Sequence, residues 1–276
     1  MKYHESSKSK ALWVIKIGGS MMDQPTILES LSDQFFYLRQ KGIFIIIVHG
    51  GGKDIDTALS QYHVIPQFMS GLRVSDEMTT KIAEMVLSGM VNKRIVSSLL
   101  NNGLPAVGIS GKDGSLLLCE KMLLEGHDIG QVGRIISVNV SLVNLLIQNH
   151  WIPVISPIGT SSHGETFNVN ADTAASAIAA ALAANQLIYL TDVDGLYGDI
   201  KNPETKLSTI NIDHISEMIE NGTIQEGMIP KVLNCAQSIK EGVSFVRIVN
   251  GTIPGNLIRI YEKDEIGTTF LNHMSL

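Results

Sequence analysis

The chain has 276 residues, 44% of them hydrophobic and 17% charged, a globular balance that excludes a disordered or fibrous protein. A formal net charge of −6 leaves no basic stripe to neutralise phosphates along a duplex, so nucleic acid is not an expected partner. Cys119 and Cys235 stand apart from each other and from any histidine at metal spacing, and no apolar run reaches membrane-spanning length. The expectation is a soluble cytoplasmic protein with no membrane contact, no disulfide framework and no metal site of its own.

In chain order, the polar opening MKYHESSKSK lacks the apolar stretch of a signal peptide. Strands are predicted at Leu12–Ile17, Ile43–Val48, Pro105–Ile109, Ile152–Ile155, Leu187–Leu190 and Val243–Val249. Between them, helices are predicted around Pro25–Gln40, Asp76–Asn102, Val140–Gln148, Ala171–Ala184 and Met228–Lys240. Runs such as Phe44-Ile45-Ile46-Ile47-Val48 are apolar without alternation, as a strand buried on both faces requires. The fold class is therefore α/β, a mostly parallel central sheet sandwiched by helices, with two lobes around a cleft. A lobe boundary is expected near Gln186, where a new strand begins.

Glycines follow the strand ends. Lys16 lies on an otherwise apolar strand, two residues before Gly18 and Gly19. The second strand runs into His49-Gly50-Gly51-Gly52 and then a helix. Glycine lets backbone N–H groups approach an anion, and the following helix N-terminus adds a positive dipole end. Open α/β sheets bind ligands at the carboxyl ends of their strands, so an anion site is expected there. Tight turns alone would also use glycine, but two such loops beside a strand-end lysine favour the site. The P-loop pattern, a dinucleotide fingerprint and the G-x-S-x-G elbow of an esterase are all missing. Further on, Asn168-Val169-Asn170-Ala171-Asp172 reads as a helix start with Asn170 as cap, which leaves Asn168 unexplained. His49 reads as a packed strand-end residue.

Together VIKIGGS, VHGGG, GLRVS, AEMVLSGMVNK, GISGKDG, NVNADTAAS, LTDVDGLY and GMIPK, in that order from Val14 to Thr268, resemble the amino acid kinase family. The resemblance implies a single kinase domain over residues 1–276. Residues 11–185 would be the lobe for N-acetyl-L-glutamate and dimerisation, and residues 186–276 the nucleotide lobe. The implied reaction moves the γ-phosphoryl of ATP, bound with Mg²⁺, to the side-chain carboxylate of N-acetyl-L-glutamate, a step of arginine biosynthesis. The implied assembly is a homodimer. Catalytic roles would fall to Lys16, Lys231 and Asp172. Gly51, Gly52, Arg73 and Asn168 would hold the substrate, and Gly18, Gly19 and Gly51 the phosphates. Asp192, Val193, Asp194, Gly195, Leu196, Tyr197, Thr223, Ile224, Gln225, Gly227 and Met228 would surround the nucleotide.

The alternatives are a kinase for a related amino or acylamino acid carboxylate and a non-catalytic amino-acid sensor. A carboxylate nucleophile with a pKa near ~4 arrives ionised at neutral pH, so no general base is required. Arg134 stands where many relatives carry glutamate. Inhibition by arginine is not expected, because the ten residues before the first strand offer no helix to link dimers.

Overall fold

The computed structural model describes residues 11–22, 24–199, 202–224 and 228–272. The predicted N-terminal character of residues 1–10, and the nucleotide contacts assigned to Gln225 and Gly227, lie outside the described residues.

The chain opens with β1 (Leu12–Ile17), the single turn α1 (Gly19–Met22), α2 (Pro25–Gln40) and β2 (Phe44–His49). Pro25 starts α2 where its missing N–H costs nothing, and Leu28, Leu31, Phe35 and Leu38 form its buried stripe. Next come α3 (Gly52–Gln61) and the short hairpin β3 (Phe68–Met69) and β4 (Leu72–Arg73). The stretch predicted as one helix over 76–102 is three consecutive pieces. These are α4 (Glu77–Glu84), a π-helical segment Met85–Val91 and α5 (Asn92–Asn101). Asp76 caps the first, accepting from Thr79 N–H at 2.7 Å.

The chain continues through β5 (Ala106–Ser110), β6 (Leu117–Leu124), β7 (His127–Val138), α6 (Ser141–Gln148), β8 (Ile152–Ser156), β9 (Ile158–Thr160) and β10 (Thr166–Asn168). After them stand α7 (Ala171–Ala181), β11 (Gln186–Thr191), β12 (Leu196–Tyr197), β13 (Lys206–Leu207) and β14 (Thr209–Asn211). The last elements are α8 (Ile215–Glu220), α9 (Ile229–Lys240), β15 (Phe245–Asn250), α10 (Asn256–Tyr261) and β16 (Thr268–Leu271).

Eight strands make one sheet in the order β14-β16-β15-β11-β1-β2-β8-β5. All neighbours are parallel except β15 and β16. Two buried cores cover its faces, one including Ile15, Ile45 and Ile47, the other Val14, Ile46 and Val48. Successive residues of one strand thus serve opposite cores, which is why the sequence shows no polar alternation. Residues before Gln186 supply β1, β2, β8 and β5, and later residues supply the other four, so the two halves meet between β1 and β11.

Strands β10, β7, β6 and β9 close into a small barrel that the sequence reading did not anticipate. Lys112 ties it to α4, donating to Glu84 at 2.8 Å and to Thr166 of β10 at 2.9 Å. Arg134 faces Glu120 in the β6–β7 register and pairs with it, so this departure from the family pattern is a cross-strand ion pair. Among the described residues no helix is long and apolar enough to cross a membrane.

Candidate active site

The site forms where β1 and β2 end. Gly50 N–H continues their ladder by donating to Ile17 O at 3.1 Å, and Gly18 N–H donates to Leu190 O at 3.3 Å. Beyond those bonds the two glycine loops face each other. A Cβ placed on Gly19 would stand 3.5 Å from both the Gly51 and the Gly52 amide nitrogens, so its absence leaves a hollow in front of them. Gly51 caps α3 and Gly52 begins it, where helical geometry leaves N–H groups without an intrahelical acceptor. An anion suits that hollow.

Lys16 enters from β1, with Val48 and Tyr189 as its neighbours on the flanking strands. Its ammonium lies 2.7 Å from Asp172 Oδ1, an ion pair whose angle falls short of an aligned hydrogen bond. Asp172 is fixed in the first turn of α7 because Asn170 Oδ1 accepts from the Asp172 and Thr173 N–H groups at 2.9 and 3.1 Å. Asn170 is thus the cap, as expected.

Lys231 opens α9, which packs along α7 through a Ser176–Ser238 hydroxyl contact of 2.6 Å. Burial pushes the Cys235 thiol far up, with Lys231 lowering it and Asp172 raising it. Asp172 and Lys231 each lie in the first turn of their helix, α7 and α9, which pack on one another.

From the glycine loops a cavity of about 190 Å³ extends under the β3–β4 hairpin. Gly51, Gly52, Arg73 and Asn168, the four predicted substrate-binding residues, all line it. Arg73 is held before any ligand arrives. Nη1 donates to Asp56 Oδ1 at 2.6 Å, Nη2 donates to Gly52 O at 3.2 Å, and the guanidinium lies 4.7 Å from the Phe68 ring centre. Remaining N–H donors of the fork stay available. Asn168 donates to Ser75 Oγ at 3.1 Å, and Ser75 donates to Arg73 O at 2.9 Å. A larger cavity of about 630 Å³, between α2 and α5, has neither the lysine nor the glycine loops, so size does not locate the chemistry.

The predicted nucleotide segments lie past β11. Asp194 accepts from Asn250 at 2.8 Å. Leu196 is buried and its amide donates to Thr268 Oγ1 at 2.8 Å, so its side chain and N–H are occupied by the fold. Ile224 is buried as well, while Thr223 N–H and hydroxyl both turn to Asn221. Asp192 and Asp194 remain exposed, Val193 is 39% exposed, and Tyr197 and Met228 are half-buried. Sequence reasoning missed Asp56 and Ser75, which orient Arg73 and Asn168. Asp56 is an ordinary polar position of α3, and Ser75 closes the GLRVS motif, where the resemblance gives it no role.

His49 sits directly behind the glycine loop and is fully buried. Burial holds its imidazole down at about 4, the Gly50 carbonyl opposing in part. The folded value lies below the ordinary 6.5, so the unfolded chain takes up a proton first as pH falls. The resulting stability is complete above pH 6.5 and disappears by about pH 4, amounting to about 3 kcal/mol. Urea unfolding at pH 7.5 and pH 5 is expected to show a drop about 2 kcal/mol smaller in His49→Asn than in the wild type. Equal drops would contradict a neutral buried imidazole.

Comparison with known proteins fits this geometry. The sequence profile described as the amino acid kinase family matches residues 11–250. An acetylglutamate kinase from Methanocaldococcus jannaschii is 43% identical, covering 93% of this chain and 89% of its own. Another from Halothermothrix orenii is 40% identical, covering 94% and 90%. Among solved structures, N-acetylglutamate synthase from Neisseria gonorrhoeae, complexed with coenzyme A and N-acetyl-glutamate, aligns with a TM-score of 0.83 at 25% identity. That alignment takes in 96% of this chain but only 60% of the synthase. A Giardia carbamate kinase aligns at 0.71 with 16% identity over 96% of this chain and 99% of its own, a likeness of fold alone.

Proposed function

The chain belongs to the amino acid kinase family, and on that premise we propose that it transfers the γ-phosphoryl group of ATP to the side-chain carboxylate of N-acetyl-L-glutamate. The products are N-acetylglutamyl 5-phosphate and ADP, and the role is in arginine biosynthesis. The observation that carries this reading is one continuous site. The Lys16–Asp172 pair and the facing glycine loops adjoin a small cavity ending in Arg73 and Asn168.

The chemistry needs charge management more than acid–base catalysis. A carboxylate oxygen forms a bond to the γ-phosphorus while the bond to the ADP oxygen breaks. Both partners are anionic, so positioned donors lower the barrier by stabilising charge spread over the transferring group. The Gly51 and Gly52 amides border the hollow where that group would lie, Lys16 would reach it from β1, and Lys231 would reach the leaving oxygen. Mg²⁺ would arrive with the nucleotide and neutralise its phosphates.

Arg73 would take the α-carboxylate, which a planar fork suits, and Asn168 the acetylamino group. Residues 11–185 would form the lobe for the acylamino acid, and residues 186–276 the nucleotide lobe. The non-catalytic sensor reading is disfavoured by the Lys16–Asp172 pair, which a binding-only protein has no chemical reason to assemble.

The test is hydroxylamine trapping of the acyl phosphate with ATP and Mg²⁺. Hydroxamate is expected with N-acetyl-L-glutamate and not with glutamate, aspartate or carbamate. Preference for any of the other three would reject the substrate assignment.

A further inference from the structure

His49 does not line the cavity, yet its two ring nitrogens are both engaged. Nδ1 lies 2.8 Å from Gly50 O, and Nε2 lies 3.1 Å from Asn92 Nδ2. Asn92 is itself fully buried and held on every side. Its amide nitrogen also donates to Val154 O at 2.9 Å and Ile109 O at 3.3 Å, and its oxygen accepts from Lys93 Nζ at 3.0 Å. A carbonyl oxygen only accepts, so the Gly50 contact puts the imidazole proton on Nδ1, and Nε2 is left as an acceptor for the Asn92 amide, whose two hydrogens are shared among three acceptors. That N–H then donates to the Gly50 carbonyl.

This bond has a consequence for the next amide. In a trans peptide the carbonyl oxygen and the following N–H point to opposite sides, and among the described residues no peptide is cis. A Gly50 carbonyl turned back toward His49 sends the Gly51 N–H the other way, toward the hollow beside Gly19. Gly50–Gly51 is the most rotationally free kind of dipeptide, so its plane needs an external tether. The opposite face of Gly51 is closed by Leu87 and Val91. A Cβ there would approach Leu87 Cδ2 to 2.6 Å and Val91 Cγ2 to 3.3 Å.

Both of those residues belong to the π-helical segment Met85–Val91, and Asn92 comes directly after it. A π turn inserts an extra residue and rotates the downstream side chains about the helix axis, a feature frequent at functional sites. Ser88 anchors the wide turn to Ser156, hydroxyl to hydroxyl, at 2.8 Å. Gly108 leaves the room that Asn92 occupies, since any Cβ there would overlap the Asn92 amide oxygen.

We propose that His49 and Asn92 are positioning residues that lock the Gly50–Gly51 peptide plane so that the Gly51 amide donates to the transferring phosphoryl group. The proposal rests on the kinase reading above, and the π-helical segment is what brings Asn92 into reach.

Two substitutions separate positioning from packing. In His49→Asn the side-chain nitrogen falls near the place of Nδ1 and can still donate to Gly50 O. In His49→Gln, closer to histidine in volume, the nitrogen reaches the place of Nε2 instead. Positioning predicts that His49→Asn keeps kcat within about threefold, while His49→Gln loses about tenfold or more with KM for ATP little changed. Packing alone predicts the reverse order or equal rates, and either result, per folded enzyme by circular dichroism, would overturn the proposal. If His49→Gln does not fold, Asn92→Leu decides, since it releases the tautomer and should lower kcat in the same direction. Wild-type kcat in Asn92→Leu would then be the contrary result.

A second readout does not depend on turnover. Glycine labelled with both 1-¹³C and ¹⁵N gives carbonyl–amide correlations only at Gly-Gly peptides, and in this sequence those are the amides of Gly19, Gly51 and Gly52. Adding MgADP with aluminium fluoride should shift the Gly51 amide proton downfield in the wild type and His49→Asn, and not in His49→Gln or Asn92→Leu. Should the wild type show the shift without phosphorylating N-acetyl-L-glutamate, the kinase substrate has been misread and the positioning role stands. An unmoved Gly51 signal in the wild type would reject the role itself.

Discussion

Replacing Lys16 or Lys231 with alanine is expected to lower kcat by about 10²–10³, the usual loss when one preorganised donor to a transition state is removed. Lys16 sits on a central strand, only 15% exposed, beside a carboxylate at 2.7 Å. Its position is set by the sheet and by α7 together, so little reorganisation accompanies charge development. The uncharged alanine leaves the hollow and the Arg73 cavity intact, and KM for N-acetyl-L-glutamate should change little. Asp172→Ala should also lower kcat, because Lys16 loses the carboxylate that aims it. Steady-state kinetics on variants with unchanged circular dichroism are the measurement. A Lys231→Ala enzyme with near-normal kcat would remove Lys231 from the reaction, and the α7–α9 contact would then be purely structural.

Arg73→Lys is expected to raise KM for N-acetyl-L-glutamate by about 10–100-fold while KM for ATP stays within a few-fold, since a lysine keeps the charge and loses the planar fork. The structure sharpens this expectation. Arg73 already gives one N–H to Asp56 and one to Gly52 O, with Phe68 against its face. A guanidinium can hold those partners and still offer donors to a carboxylate, whereas an ammonium has three donors in all. With both anchors kept, a lysine has one donor left, so it must release an anchor or hold the carboxylate by a single hydrogen bond. An unchanged KM for the acylamino acid would exclude Arg73 from the site.

Much of the fold was legible because its central strands are buried on both faces. The apolar runs read at Leu12–Ile17, broken only by Lys16, and at Ile43–Val48 have few other structural meanings. The barrel was not legible for the opposite reason. β6 and β7 mix exposed charges with glycines such as Gly130 and Gly133, and although they pair with each other across a short turn, closing the barrel depends on β9 and β10, distant in sequence. The π-helical segment escaped as well, since Val86, Leu87 and Val91 continue an apolar pattern that an ordinary helix would also show.

The same division holds in the site. A lysine on an apolar strand and glycines at strand ends announce themselves. Asp56, Ser75 and Asn92 are unremarkable polar residues until tertiary contacts give them Arg73, Asn168 and His49 as partners.

The meeting of the two sheet halves between β1 and β11 has a mechanical consequence. Lys16 and Asp172 ride on the first half, and Lys231 on the second, with five aligned residue pairs from Trp13–Gln186 to Ile17–Leu190 joining them. The spacing between the two lysines thus depends on that seam and on the α7–α9 contact beside it. A twist that widened it would move the second charge away from the first. The cavity that Arg73 lines is built wholly from residues before Gln186, so it does not span the seam.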